Sequence, residues 1–111
     1  MVNSACARPT AVCAYVQDVP IDLDLYRRVL DELGPEPLAG SLLHLCVRRP
    51  EGGLRYIDVW ESEEACARAF DERVHPAVDR AFGGRRPAGE PRVDHLRSST
   101  PRARCWPERP G

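Results

Sequence analysis

Lysine is missing from this 111-residue sequence, and all 16 of its basic side chains are arginines. Against 17 acidic residues they leave a net charge of -1, so no overall positive field draws the chain to nucleic acid or anionic lipid. No apolar run approaches the ~20 residues that cross a bilayer. The start, Met1 to Pro9, has neither a basic stretch nor the apolar core of a secretory signal, so the expectation is a cytoplasmic protein with no membrane partner. The five cysteines are odd in number and contain no C-x-x-C pair, which argues against a structural zinc site or a complete disulfide framework and leaves reduced thiols. The glycine clusters Gly52-Gly53 and Gly83-Gly84 fit neither a dinucleotide fingerprint nor a P-loop, and no internal repeat is evident. What remains, 42% hydrophobic and 30% charged, is the composition of one soluble domain with one core.

Alternation of small or branched apolar residues from Ala11 to Val19 predicts a half-buried strand, ended by Pro20. Asp22 is placed to cap a helix with Leu23, Tyr26, Leu30 and Leu33 on one stripe, stopped by Gly34 and Pro35. Ser41 to Arg49 and Leu54 to Glu61 read as a hairpin around Pro50-Glu51-Gly52-Gly53. Ser62 caps a second helix whose stripe is Cys66, Phe70, Val74, Ala77 and Ala81, with a kink or restart expected at His75-Pro76. Pro91 to Arg97 is the last strand. Residues 1–10 form an N-terminal extension, residues 11–97 the domain, and residues 98–111 a Pro/Arg-rich tail, whose arginines are interspersed with Pro and Glu as in a solvated segment. Strand, helix, strand, strand, helix, strand is the βαββαβ order of an α+β, ferredoxin-like domain with an antiparallel sheet. Its two helices cover one face and leave the other to solvent or a partner.

Side-chain parity sorts the two faces. Leu43, Leu45, Val47, Ile57 and Val59 form an aliphatic set, and this set is expected under the helices. The opposite set holds Cys13, Tyr15, His44, Cys46, Tyr56, Asp58 and Trp60, and is expected on the uncovered face. Hairpin pairing puts His44 across from Trp60 or Asp58, and Cys46 across from Asp58 or Tyr56. Covered by a second subunit, this aromatic and ionisable face becomes a small-molecule cavity.

The third strand and its continuation, Gly53-Leu54-Arg55-Tyr56-Ile57-Asp58-Val59-Trp60-Glu61-Ser62-Glu63-Glu64-Ala65, leading into a helix with Phe70, resembles the dimeric α+β-barrel superfamily, in particular antibiotic-biosynthesis-monooxygenase-like (ABM-like) proteins. The resemblance extends by element order from Ala11 to Arg97. It implies a homodimer with sheets packed face to face, one ligand cavity per subunit, and chemistry that ranges from cofactor-free oxygenation of phenolic polyketides to cyclisation and haem degradation. The positions where a haem-degrading relative carries a tryptophan and an axial histidine hold Ala69 and Asp79, and His75 is displaced by about a turn, which disfavours haem.

Within that frame His44 is the candidate general acid/base, oriented and charge-stabilised by Asp58. Tyr56 and Tyr15 offer phenol donors to a developing anion, and Trp60 an aromatic wall. Cys46 and Cys13 share the same face; His44-x-Cys46 supplies two metal ligands without a third, so no metal and no cofactor are expected. The parity of Asp94 and His95 on the last strand is ambiguous. The expected activity is cofactor-independent tailoring of an aromatic, polyketide-like phenol or enol, leading to oxygenation. The alternatives are a cyclase or isomerase of the same fold, or a non-catalytic dimeric ligand-binding protein.

Overall fold

A computed structural model describes residues 12–85 and 91–97; the expected extension and tail lie outside the described residues. The alternating stretch forms β1 (Cys13–Val19). Asp22 then caps α1 (Leu23–Leu33), its Oδ1 accepting from the Leu25 amide at 2.8 Å. Strands β2 (Ser41–Arg48) and β3 (Leu54–Trp60) make the hairpin. Its turn needs glycine: Gly53 has φ +79°, and a Cβ there would stand 2.8 Å from the Val19 carbonyl oxygen.

Ser62 caps α2 (Glu63–Ala69), its Oγ accepting from the Ala65 amide at 3.0 Å. The expected restart is present as a π-helical turn, Phe70–Val74, followed by α3 (His75–Phe82). Pro76 lacks an amide hydrogen, and its ring would press on the carbonyl four residues back, so the wider turn absorbs the misfit. The turn also presents Arg73, whose guanidinium donates to the carbonyls of Leu33, Glu36 and Pro37 at 2.8–3.0 Å and so ties the end of α1 to the second helical segment. Strand β4 (Arg92–Leu96) completes the fold. No helix among the described residues is long and apolar enough to cross a membrane.

The sheet order is β2-β3-β1-β4 with every neighbour antiparallel, the ferredoxin-like arrangement expected. The faces are reversed from expectation. Cys13, Tyr15 and Trp60 pack with Ala69, Cys66 and Phe70 beneath the second helical segment. Val19 and Leu54 pack with Ile21, Leu25, Tyr26, Cys46, Tyr56 and Phe82 beneath α1 and α3. The aromatic and ionisable set therefore lies under the helices. The aliphatic set lies on the open face, with Leu43, Leu45 and Val47 each more than 40% exposed. The reason is size and satisfaction: large rings fill the gap between a sheet and crossing helices, and a polar group paired inside that layer carries little penalty for being there. Leu30, expected on the buried stripe of α1, is exposed.

Candidate functional site

One row of side chains crosses all four strands on the helix-covered side. The register places His44 opposite Asp58, Asp58 opposite Tyr15, and Tyr15 opposite His95. At a strand spacing of about 4.8 Å the row is about 14 Å long. It also resolves the ambiguity of β4, since His95 joins the row while Asp94 points to the open face with Val16, its partner in the ladder.

The β2 end of the row is a hydrogen-bonded chain. His44 Nδ1 lies 2.6 Å from Asp58 Oδ1, and His44 Nε2 lies 2.7 Å from the Tyr26 hydroxyl. A carboxylate only accepts, so Nδ1 carries the proton of the neutral ring, and Nε2 then accepts from the phenol. Asp58 is 4% exposed, whereas the His44 side chain is 38% exposed, so the chain runs from the core to the surface. Tyr56 holds the two rings, with centroids 5.4 Å from His44 and 5.5 Å from Tyr26. Burial, with Cys46 and Asp58 nearby, pushes the Tyr26 phenol up to about 12, so it remains protonated near neutral pH unless its proton passes to His44. Burial likewise raises Tyr56, and it raises Cys46, which lies opposite Tyr56 in the ladder.

On the other flank of Asp58, the Tyr15 hydroxyl accepts from Trp60 Nε1 at 3.2 Å and has Cys66 Sγ at 4.0 Å. Burial first, then the Asp58 charge, raises Tyr15 far above the ordinary phenol value, so it stays a donor at any working pH. Its own hydrogen has no oxygen or nitrogen acceptor among the described residues, and the Tyr15 side chain lines a groove of about 350 Å³ between β1, β4 and α2. Cys13, Phe70 and Cys66 make the groove apolar, with Glu63, Gln17 and His95 at its polar margins. Burial pushes the Cys66 thiol up to about 11 and raises Cys13, so both are thiols near neutral pH. A second hollow of about 440 Å³ lies by Gly52 and Gly53, where Arg49 stands 3.6 Å from Asp18 and 3.5 Å from Glu51, charges that answer one another.

The seven residues singled out from the sequence thus share one layer but divide into two groups. His44, Asp58, Tyr56 and Cys46 gather around Tyr26; Tyr15, Trp60 and Cys13 gather beside the groove. Trp60, 2% exposed, is no cavity wall and instead holds the Tyr15 oxygen. The sequence pattern places Tyr26 only on the helix stripe; a phenol on the buried face of a helix, which needs a polar partner across the layer, is the signal of its second role. Among the described residues no three His, Cys, Asp or Glu side chains gather as a metal-ligand set.

No family model matches the chain, and no curated protein matches it by sequence. Solved structures do match. A Caulobacter crescentus protein assigned provisionally as an antibiotic biosynthesis monooxygenase aligns with TM-score 0.57 and 18% identity, over 82% of this chain and 92% of that one. A conserved Methanosarcina mazei protein aligns with TM-score 0.56 and 12% identity, over 82% and 96%. A variant of SnoaB, a cofactor-independent oxygenase from Streptomyces nogalater, aligns with TM-score 0.53 and 12% identity, over 80% and 93%. At these identities the likeness is one of fold. The chain has the ferredoxin-like α+β fold of the ABM-like proteins.

Proposed function

We propose that the chain is a cofactor-independent tailoring enzyme of natural-product biosynthesis, which ionises a flat phenolic or enolic substrate of the aromatic polyketide kind so that the anion reacts with oxygen. The observation that carries this reading is the His44–Asp58 pair. Burying a carboxylate costs several kcal/mol unless it is paired, and here the pairing fixes a half-exposed imidazole in one tautomer. Such an arrangement suits proton transfer better than it suits stability.

In this reading the substrate's ring system lies in the groove against Tyr15 and Cys13. Tyr15, steadied by Trp60, donates to the developing anion, the kind of preorganised stabilisation that lowers a barrier most. His44 is the acid/base group at the β2 end of the row; Asp58 orients it, Tyr56 with Cys46 behind packs its ring, and Tyr26 links it to the surface. With an anthrone the balance closes without a cofactor: the CH2 becomes C=O with one atom of dioxygen, and the other leaves as water with the two hydrogens. A second copy covers the open aliphatic face, making the working unit a homodimer.

The test is oxygen uptake by chelator-treated protein against a panel of anthrones and related phenols. One oxygen consumed per quinone formed supports the oxygenase. A product of unchanged mass without oxygen uptake replaces it with a cyclase or isomerase, and binding without turnover replaces it with a ligand-binding protein.

A further inference from the structure

The two histidines of the row differ in availability. Both ring nitrogens of His44 are engaged, by Asp58 and by Tyr26, and it stands two strands away from Tyr15. His95 lines the groove itself, has no hydrogen-bond or ion-pair partner among the described residues, and meets the Tyr15 ring edge-on with centroids 5.9 Å apart. Across from it, Tyr15 has a hydrogen with no oxygen or nitrogen acceptor among the described residues. Among the described residues, then, a phenol whose hydrogen has no oxygen or nitrogen acceptor and an imidazole whose nitrogens have no partner line the same apolar groove.

We propose that Tyr15 and His95 form a two-point cradle for one phenol or enol hydroxyl on a flat ring system, and that His95 is the catalytic residue that first accepts its proton. The substrate oxygen accepts from the Tyr15 phenol and donates to a ring nitrogen of His95. On transfer the substrate O–H breaks, an N–H forms on His95, and the electron pair stays on the oxygen, which then accepts from both Tyr15 and the new N–H. Phe70, Cys13 and Cys66 hold the apolar body of the ligand. The proposal rests on the reading that the groove is the substrate site, and it assigns to His95 the contact with substrate, with His44 two strands away from Tyr15, behind Asp58.

Its test is binding, which needs no turnover. The full chain is titrated with 1-naphthol and with 1-methoxynaphthalene, which has the same ring system but no hydroxyl hydrogen to donate. The wild type binds 1-naphthol at least about tenfold more tightly; His95→Phe cuts that preference to about threefold or less with the methyl ether's affinity unchanged, and Tyr15→Phe weakens both probes, since the oxygen of each accepts from the phenol. His95 is exposed on an edge strand, so His95→Phe decides the matter even where the buried Tyr15→Phe variant does not fold. Equal affinity for the two probes in the wild type, or an undiminished preference in His95→Phe, overturns the proposal. Oxygen uptake by the wild type alongside either result leaves the oxygenase reading standing. A preference that responds to His95 in a protein that consumes no oxygen upholds the cradle and removes the oxygenase.

Discussion

His44 and Asp58 face each other across the β2–β3 ladder with Nδ1 and Oδ1 2.6 Å apart, and the far nitrogen of the same ring takes the Tyr26 hydroxyl at 2.7 Å. Three elements, α1, β2 and β3, each supply one member of this chain. The neutral His44 ring is therefore held with its proton on Nδ1. Nitrogen-15 spectra of the histidines are expected to show that single tautomer in the wild type and to keep it in Tyr26→Phe, where Asp58 still accepts from Nδ1. That variant keeps the ring packing against Tyr56 and should lose about 1 kcal/mol of stability, the usual net worth of one hydrogen bond.

Removing the carboxylate is a harsher change. Asp58→Ala leaves the Nδ1–H of His44 without its acceptor in a half-buried layer, and a destabilisation of about 1–3 kcal/mol is expected from denaturant titration. A variant as stable as the wild type would mean that the pair is not formed in solution.

Trp60 supports Tyr15 from below. Trp60→Phe removes the indole donor and leaves a small void beside Phe70, so a loss of about 1–3 kcal/mol is expected. The Tyr15 phenol should then hold its position less firmly, which titration with 1-naphthol reads as weaker binding.

The open face carries Leu43, Leu45, Val47, Ile57 and Val59 together, an aliphatic surface of the kind that a second copy covers. A stable interface buries about 800 Å² on each partner. Leu45→Glu, at a residue 47% exposed in the single chain, should leave the fold intact and turn a dimer into a monomer in analytical ultracentrifugation. Wild-type protein that sediments as a monomer at high concentration would contradict the dimer.

At the other end of the sheet Arg55 grips Asp18 with two hydrogen bonds, of 2.7 and 3.0 Å, and holds its carboxyl below the usual aspartate range. A lowered folded-state value means that the contribution is complete above the ordinary aspartate value and is lost as pH falls through the lowered one. The stability gap between wild type and Asp18→Asn should therefore narrow as the pH is taken from about 6 to about 2.5.

Much of this fold is legible in the residues, and the part that is not has a physical cause. The caps Asp22 and Ser62, the break at Pro76 and the hairpin glycines act locally, so the elements can be read one at a time. Strand parity also groups His44, Asp58 and Tyr15 correctly, because alternation needs no knowledge of what lies above the sheet. Parity is silent on which face the helices cover. Hydrophobicity alone assigns the aliphatic set to the interior, yet both faces are apolar enough to be buried, and a buried Asp58 is tolerable once His44 satisfies it. The phenol of Tyr26 on the inward side of α1 is the feature that marks the polar face as the covered one.

Whether the row moves protons for an oxygen-consuming reaction is tested most directly by the rate of oxygen uptake of His44→Gln relative to the wild type, on whichever anthrone the wild type turns over best. Loss of a positioned acid/base group predicts a fall in kcat/KM of about 100-fold or more with the fold unchanged by circular dichroism. A His44→Gln rate equal to that of the wild type would contradict it.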